Sequence, residues 1–498
     1  MSAFYKDAPA PDLSRLFLWN MPSGKTTHPG FHMPGHAGAR LFHDEYASAL
    51  IAVDTTELAS SDDLHDPSGP ALRAMQEASR VYGSKESLFV TTGSTTGIHV
   101  MLAAVAAPDT FLLIPRTVHL SVLNALSLLD LRYAFITLPQ ADKNSAYLYP
   151  QLTKDVLAAA LERYPQATDV LLVSPDYYGQ SADLMELAKL SHDHGCRLLV
   201  DEAHGSHFTF APDLFPDDAM SSHADMCVQS LHKTLPALTM ASQIHISRDA
   251  VASGRISVRR VWEMLRLFET SSPSFVIAAS AEYAIAWMES MGNRALSERS
   301  SDIRCFLERI QPVLGSQPIM CRDRRSADRM HLVLMTDTHE FLASDLMKAL
   351  EKKGIDVEFA DLLRLVLIVS PWQTAEDLDE LACAISASVE ELKLAGKTGA
   401  RDAFETDRQW GCLLCRIPER CLPLRTAVFG GLDTDCIELS AAQGRISASI
   451  IAPYPPGIAV LWPGEKISAQ HLTVLQQLRD LKITVRGMDN GKIDVIHE

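Results

Sequence analysis

The sequence predicts an α/β fold with a mostly parallel sheet, followed by a smaller α/β unit and a third, C-terminal unit. Three observations carry this expectation. Short apolar runs alternate with helical patterns from about residue 70 onward. The runs suit strands of a sheet covered by helices on both faces. Gly93-Ser94-Thr95-Thr96-Gly97, His119, Asp201 and Lys233 fall at or just after such runs. That is the edge where open α/β sheets bind their ligands.

Taken in order, residues 1–60 mix Gly, Pro and His with little periodicity and read as a loop-rich arm. Residues 71–82 are helical in pattern, and 88–91 form a strand that runs into Gly93–Gly97 and an apolar helix at 98–106. A second strand at 111–114 ends in Pro115-Arg116-Thr117-Val118-His119. Further strands are expected at 133–138, 170–174, 197–200, 226–229 and 243–246, with helices near 153–163 and 183–194. A helical stretch at 275–310 leads to the second pattern: strands at 331–335 and 365–369, helices near 341–353 and 374–395. Lys393-Leu394-Ala395-Gly396-Lys397-Thr398-Gly399 reads as a linker to the last hundred residues.

A chain of 498 residues is too long for one ordinary domain. Its net charge of −17 argues against a nucleic-acid or anionic-membrane partner, because no basic field is available to hold phosphates. No apolar run reaches the length of a membrane span. The first residues, Met-Ser-Ala-Phe-Tyr-Lys-Asp, lack an apolar signal region, so a cytoplasmic location is expected. Nine cysteines, an odd number in so long a chain, point to a reducing compartment. Cys412, Cys415, Cys421 and Cys436 lack a clean second Cys-x-x-Cys pair, and no metal is expected.

The chemistry centres on Ser230-Leu231-His232-Lys233, just after the apolar run 225–229. A lysine there, with serine and histidine ahead of it, suits pyridoxal phosphate (PLP). The amine condenses with the cofactor's aldehyde while hydroxyl and imidazole bind its phosphate. The same residues also read as an exposed lysine in a turn. Gly93–Gly97 opens a helix directly after a strand, which favours a phosphate, or is a tight capped turn. His119 either lies flat on a planar cofactor or bonds within its loop. Asp201 ends an apolar strand, where an acid needs a partner: a protonated pyridine nitrogen, a metal, or a helix start. His204, three residues on, reaches the same place.

In that order the chain resembles the bacterial ornithine/lysine/arginine decarboxylases, fold-type I PLP enzymes. The matching stretches include Phe31 to Gly38, Asp62 to Gly69, Pro115 to His119, Ser174-Pro175-Asp176-Tyr177-Tyr178-Gly179 and Asp201-Glu202-Ala203-His204-Gly205. Ser230 to Lys233, Thr270 to Ser274, Pro453 to Gly457 and Pro463-Gly464-Glu465 match as well. The resemblance implies an aspartate aminotransferase-like large domain, with Lys233 as the Schiff-base lysine, Asp201 on the pyridine nitrogen and His119 stacked on the ring. Ser94, Thr95, Ser230 and His232 would serve the phosphate, and His204 would lie near the ring and the substrate carboxylate. It also implies an arm at 1–60, a PLP-binding domain at 61–300, a small α/β domain at 301–395 and a C-terminal α+β domain at 396–498. The chain resembles the family's short form, which lacks a receiver-like domain.

The activity so implied is decarboxylation of arginine, lysine or ornithine to agmatine, cadaverine or putrescine, in polyamine metabolism, by a homodimer or higher homo-oligomer. Glu57, Asp62, Asp63, Glu358 and Asp361 are candidates to read the far end of a basic substrate. His36-Ala37-Gly38, Leu120 and Met240 depart from the family's usual residues and bear on substrate choice. Two rivals stand beside this: another PLP reaction on the same fold, such as transamination, and a non-catalytic regulator.

Overall fold

A computed structural model describes Phe31 and residues 54–57, 62–141, 147–314, 326–336, 341–396 and 400–497. Most of the expected arm, including residues 32–38, lies outside the described residues.

Seven strands make the main sheet: β1 (Glu86–Val90), β2 (Phe111–Pro115), β3 (Arg132–Ile136), β4 (Asp169–Val173), β5 (Arg197–Asp201), β6 (Met226–Gln229) and β7 (Ser242–Ile246). Their order is β1-β7-β6-β5-β4-β2-β3. Each lies where an apolar run predicted it. β7 runs antiparallel to both its neighbours, β1 and β6; the other pairings are parallel. Leu113, Val170, Leu172, Leu198 and Val200 enter one core cluster, while Leu112, Ile114, Leu171, Leu199 and Val228 enter another. Successive side chains point to opposite faces, and both faces are buried, so the central strands β2, β4, β5 and β6 are mostly apolar.

Helix α1 (Pro70–Val81) precedes β1, α2 (Ser94–Val105) follows it, and α3 (Leu120–Leu129) follows β2. α2 lies hard on the sheet. A Cβ on Gly97 would sit 2.6 Å from Val228 Cγ1, so glycine is what permits this depth of approach. The strands β1, β2, β4, β5 and β6 all point the same way, which brings their C-terminal ends to one edge.

Helices Phe275–Trp287 and Asn293–Leu314 carry the chain to a second, antiparallel sheet of β8 (His331–Met335), β9 (Phe359–Ala360) and β10 (Arg364–Ile368). β9, two residues long, has no periodicity to read. Phe31 is buried at this sheet: its N–H donates to the Asp356 carbonyl (2.8 Å) and its carbonyl accepts from Ile368 N–H (3.1 Å). Helices Ala343–Glu351 and Ala375–Leu394 pack on it through Leu346, Leu350, Leu381 and Ile385.

The C-terminal part holds helices Ala400–Leu414, Leu424–Phe429 and Ala469–Asp480. With them are a three-stranded sheet of Thr434–Glu438, Lys492–Ile496 and Met488–Asp489 and a strand pair, Ala452–Tyr454 with Thr484–Arg486. Trp410, fully buried, ties it into the same cluster as Tyr149 and Tyr178. No helix among the described residues is long and apolar enough to cross a membrane.

Candidate active site

The predicted residues converge on the C-terminal edge of the main sheet. Asp201 is the last residue of β5, and Lys233 sits in the single helical turn Leu231–Thr234 that follows β6. β5 and β6 are neighbours, and register pairs Asp201 with Val228. His204 lies in the turn after β5, and its Nε2 is 3.0 Å from Lys233 Nζ. Burial lowers the basicity of the Lys233 amine, and the charges of Asp201 and Glu358 pull it part of the way back. Burial raises the Asp201 carboxyl, against the pull of Lys233 and the Ala203 N–H, which donates to Oδ1 at 3.2 Å.

α2 starts at the same edge. Ser230 Oγ donates to Ser94 Oγ at 2.7 Å, joining the turn after β6 to the first residue of the helix. Ser94 is half-buried and Thr95 exposed, and among the described residues, chain neighbours aside, nothing lies within 4 Å of where a Cβ on Gly93 would be. Thr96 and Gly97 N–H donate to the Gly93 carbonyl (3.0 and 3.3 Å), and the first N–H groups of a helix, which have no carbonyl ahead of them, suit an anion. His232 is the less free of the predicted phosphate residues, since its Nδ1–H donates to the Ala241 carbonyl at 3.1 Å. Only a doubly protonated ring would offer a second N–H.

His119 caps α3. Its Nδ1 accepts from the Ser121 N–H at 3.2 Å and meets Ser121 Oγ at 2.8 Å. Burial, then the charges of Lys233 and His99, push it down to about 4, so the ring is neutral at ordinary pH. The loop reading of His119 holds, and the cap uses only one of its two nitrogens.

Several motifs turn out to be structural supports of this edge. Asp62 accepts N–H bonds from Ser68, Gly69 and Ala71 (3.0, 2.8 and 2.9 Å) and so holds the start of α1. Glu269 accepts from Thr91 N–H (2.5 Å) and Thr91 Oγ1 (2.9 Å) at the end of β1, and its other oxygen meets His65 Nε2 at 3.3 Å. Asp361 is fully buried between the Tyr178 hydroxyl (2.8 Å) and Arg364 (3.2 Å). Asp62 and Asp361 are therefore occupied by the fold rather than presented to a substrate. Cys415 is buried while Cys421 and Cys436 are exposed. Among the described residues no group of three or more His, Cys, Asp or Glu is arranged to hold a metal.

Reasoning from sequence missed His207, Asp328 and His331. His204 Nδ1 lies 3.1 Å from His331 Nε2, His331 Nδ1 lies 2.5 Å from Asp328 Oδ2, and His207 Nε2 lies 3.0 Å from Asp328 Oδ1. All four residues are buried. The available signal was slight: an Asp-x-x-His at the start of a predicted strand, more than a hundred residues from the motif it meets.

A half-buried lysine, a strand-end acid on the neighbouring strand, a neutral histidine and a helix start at one edge of a seven-stranded sheet suit PLP. The same fold is found in lysine decarboxylase A from Pseudomonas aeruginosa, at a TM-score of 0.76 and 18% identity, covering 94% of this chain and 78% of that one. The sequence matches the family model for the Orn/Lys/Arg decarboxylase major domain over residues 22–317 and that for the C-terminal domain over 428–488. The protein is thus a PLP-dependent amino-acid decarboxylase. The chain belongs to the Orn/Lys/Arg decarboxylase family. Its relatives include the uncharacterized protein YaaO of Bacillus subtilis, 32% identical over 92% of both chains. They also include an arginine decarboxylase of the same organism, 29% identical over 94% of both.

Proposed function

We propose that the protein removes the carboxylate of a basic amino acid, arginine foremost, and releases the corresponding amine and carbon dioxide. The observation that carries the site is the half-buried Lys233, whose amine lies 3.0 Å from His204 and one strand from Asp201. Support for arginine comes from relatives named arginine decarboxylases that align along nearly the whole chain; lysine and ornithine are the alternatives.

PLP, when bound, supplies an aldehyde for a lysine amine and a cationic ring that takes up the electron pair left as carbon dioxide departs. In our reading Lys233 holds the cofactor, and Asp201 keeps a proton on the pyridine nitrogen. His119 covers the ring, and Ser94, Thr95, Ser230 and His232 hold the phosphate. His204 stands beside the lysine near the substrate carboxylate. Buried groups at the sheet edge hold these parts in one geometry and keep water from the reacting bond.

Two measurements test this. Borohydride reduction of the holoenzyme followed by peptide mapping should label Lys233; a label on another lysine would sink the assignment. Carbon dioxide and amine should appear from arginine, lysine or ornithine. Keto-acid formation instead would mean another PLP reaction.

A further inference from the structure

We propose that Asp328 and His331 are positioning residues that set the tautomer of His204, so that His204 Nε2 presents a lone pair to the Lys233 amine. This rests on the reading of Lys233 as the cofactor lysine.

The geometry dictates the direction of each bond. An ionised carboxylate only accepts. Asp328 Oδ1 already accepts from His207 Nε2–H at 3.0 Å and from the Met330 N–H at 2.8 Å, and Oδ2 faces His331 Nδ1. His331 Nδ1 must therefore carry a proton. In a neutral imidazole Nε2 is then an acceptor, and the group opposite it, 3.1 Å away, is His204 Nδ1. That nitrogen donates, which leaves Nε2 of His204 without a proton, 3.0 Å from Lys233 Nζ. His207 closes the far end. Its Nδ1 is buried without a partner among the described residues, which suits a bare nitrogen and not an N–H. Burial, then the Lys233 charge, hold His204 well below the ordinary histidine range. Burial opposes ionisation of Asp328, but His207 and His331 outweigh it and keep that carboxyl well below the usual range.

The consequence concerns the amine. With Nε2 as acceptor, the amine points an N–H at His204 and its own lone pair stays free to attack a carbonyl. In the opposite tautomer His204 would donate to that lone pair and block it. The pair is also built into the fold. His331 opens β8 of the second sheet, and its Cβ lies 2.6 Å from where a Cβ on Gly179 would be. Gly179 has φ +78°, and its carbonyl accepts from the Asp328 N–H at 2.7 Å, while Ser181 N–H donates to the Ser326 carbonyl at 2.9 Å. The segment that carries Asp328 and His331 is thus sewn to the loop after β4, so the second sheet reaches the lysine through this chain of bonds.

D328N provides a test with no change of volume. Oδ1 must still accept two N–H groups, so the new NH2 faces His331 Nδ1. That forces His331 to carry its proton on Nε2 and His204 to accept at Nδ1 and donate from Nε2. The full-length, cofactor-free protein is labelled with 15N-histidine, and its tautomers are read by long-range proton–nitrogen correlation, with H204Q to assign the signal. We expect an Nδ1–H tautomer at His204 in the parent and an Nε2–H tautomer in D328N. Capture of added PLP, followed by absorbance, should slow roughly tenfold in D328N, the scale of one hydrogen bond held on the amine's lone pair. H331Q, whose amide oxygen can accept from His204 Nδ1–H, should keep both the tautomer and the capture rate. An Nε2–H tautomer in the parent, or an unchanged tautomer in D328N, overturns the proposal. A borohydride label away from Lys233 would overturn the assignment of the lysine instead, and leaves the tautomer readout intact.

Discussion

Arg116 and Glu465 form a buried, two-pronged ion pair: Nη1 meets Oε1 at 2.6 Å and Nη2 meets Oε2 at 3.0 Å. Arg116 follows β2, three residues before His119, and Glu465 lies in the C-terminal part. Phe135 and Trp462 flank the guanidinium, at 4.7 and 5.5 Å. The pair anchors the C-terminal part directly behind the loop that carries His119.

Removing one partner leaves the other charge buried. E465Q should lose about 3–5 kcal/mol of stability, while an apolar replacement of both, R116M/E465L, should recover most of it. Urea unfolding of the single and double variants measures the coupling. A loss under about 1 kcal/mol in E465Q would class the pair with exposed ones.

D201N should separate cofactor capture from turnover. The Asp201 charge raises the basicity of Lys233, so its removal leaves the amine more neutral and does not slow reaction with PLP. Carbon dioxide release should fall by about 10²–10³, the scale of one lost preorganised electrostatic contact. Spectra of bound PLP and gas release on the same preparation check this. Normal turnover in D201N would assign the role to another group.

Glu358 is the strongest of the candidate readers of the substrate's far end, because its charge reaches both Lys233 and Tyr177. Glu57, whose Oε1 is buried without a partner among the described residues, is the second. E358Q should lower kcat/KM for the preferred substrate by the equivalent of about 2–5 kcal/mol. D62N should instead cost about 1 kcal/mol of stability through the start of α1 and leave substrate preference alone. Kinetics with arginine, lysine and ornithine distinguish the two. An unchanged profile in E358Q would remove it from the pocket.

Acid should weaken the fold through its buried histidines. His245 lies between Ser87 Oγ (2.7 Å) and Gln229 Oε1 (3.2 Å), and burial pushes it down to about 3. The unfolded residue takes up a proton below about 6.5. Between those values the unfolded chain binds more protons, so stability is whole above the upper one and falls as pH drops toward the lower, by about 1.4 kcal/mol per pH unit for one group. The H245Q melting temperature should therefore fall less than the parent's between pH 7 and pH 5. Equal falls would show that His245 is protonated in the folded protein.

The central strands of the main sheet were legible because burial on both faces makes them largely apolar runs, and a strand's position is a local property. The order of Gly93, His119, Asp201 and Lys233 was legible for a related reason. Parallel strands send successive C-terminal ends to one edge, so residues just after them meet without any long-range information. Tertiary structure alone decided which polar groups pair across distance. Arg116 and Glu465 are 349 positions apart, and His204 and His331 are 127 apart. Each looks like an ordinary charged or aromatic residue until packing strips away water. Only then does a buried polar group require a particular partner, and that requirement appears in the folded protein and not in the chain.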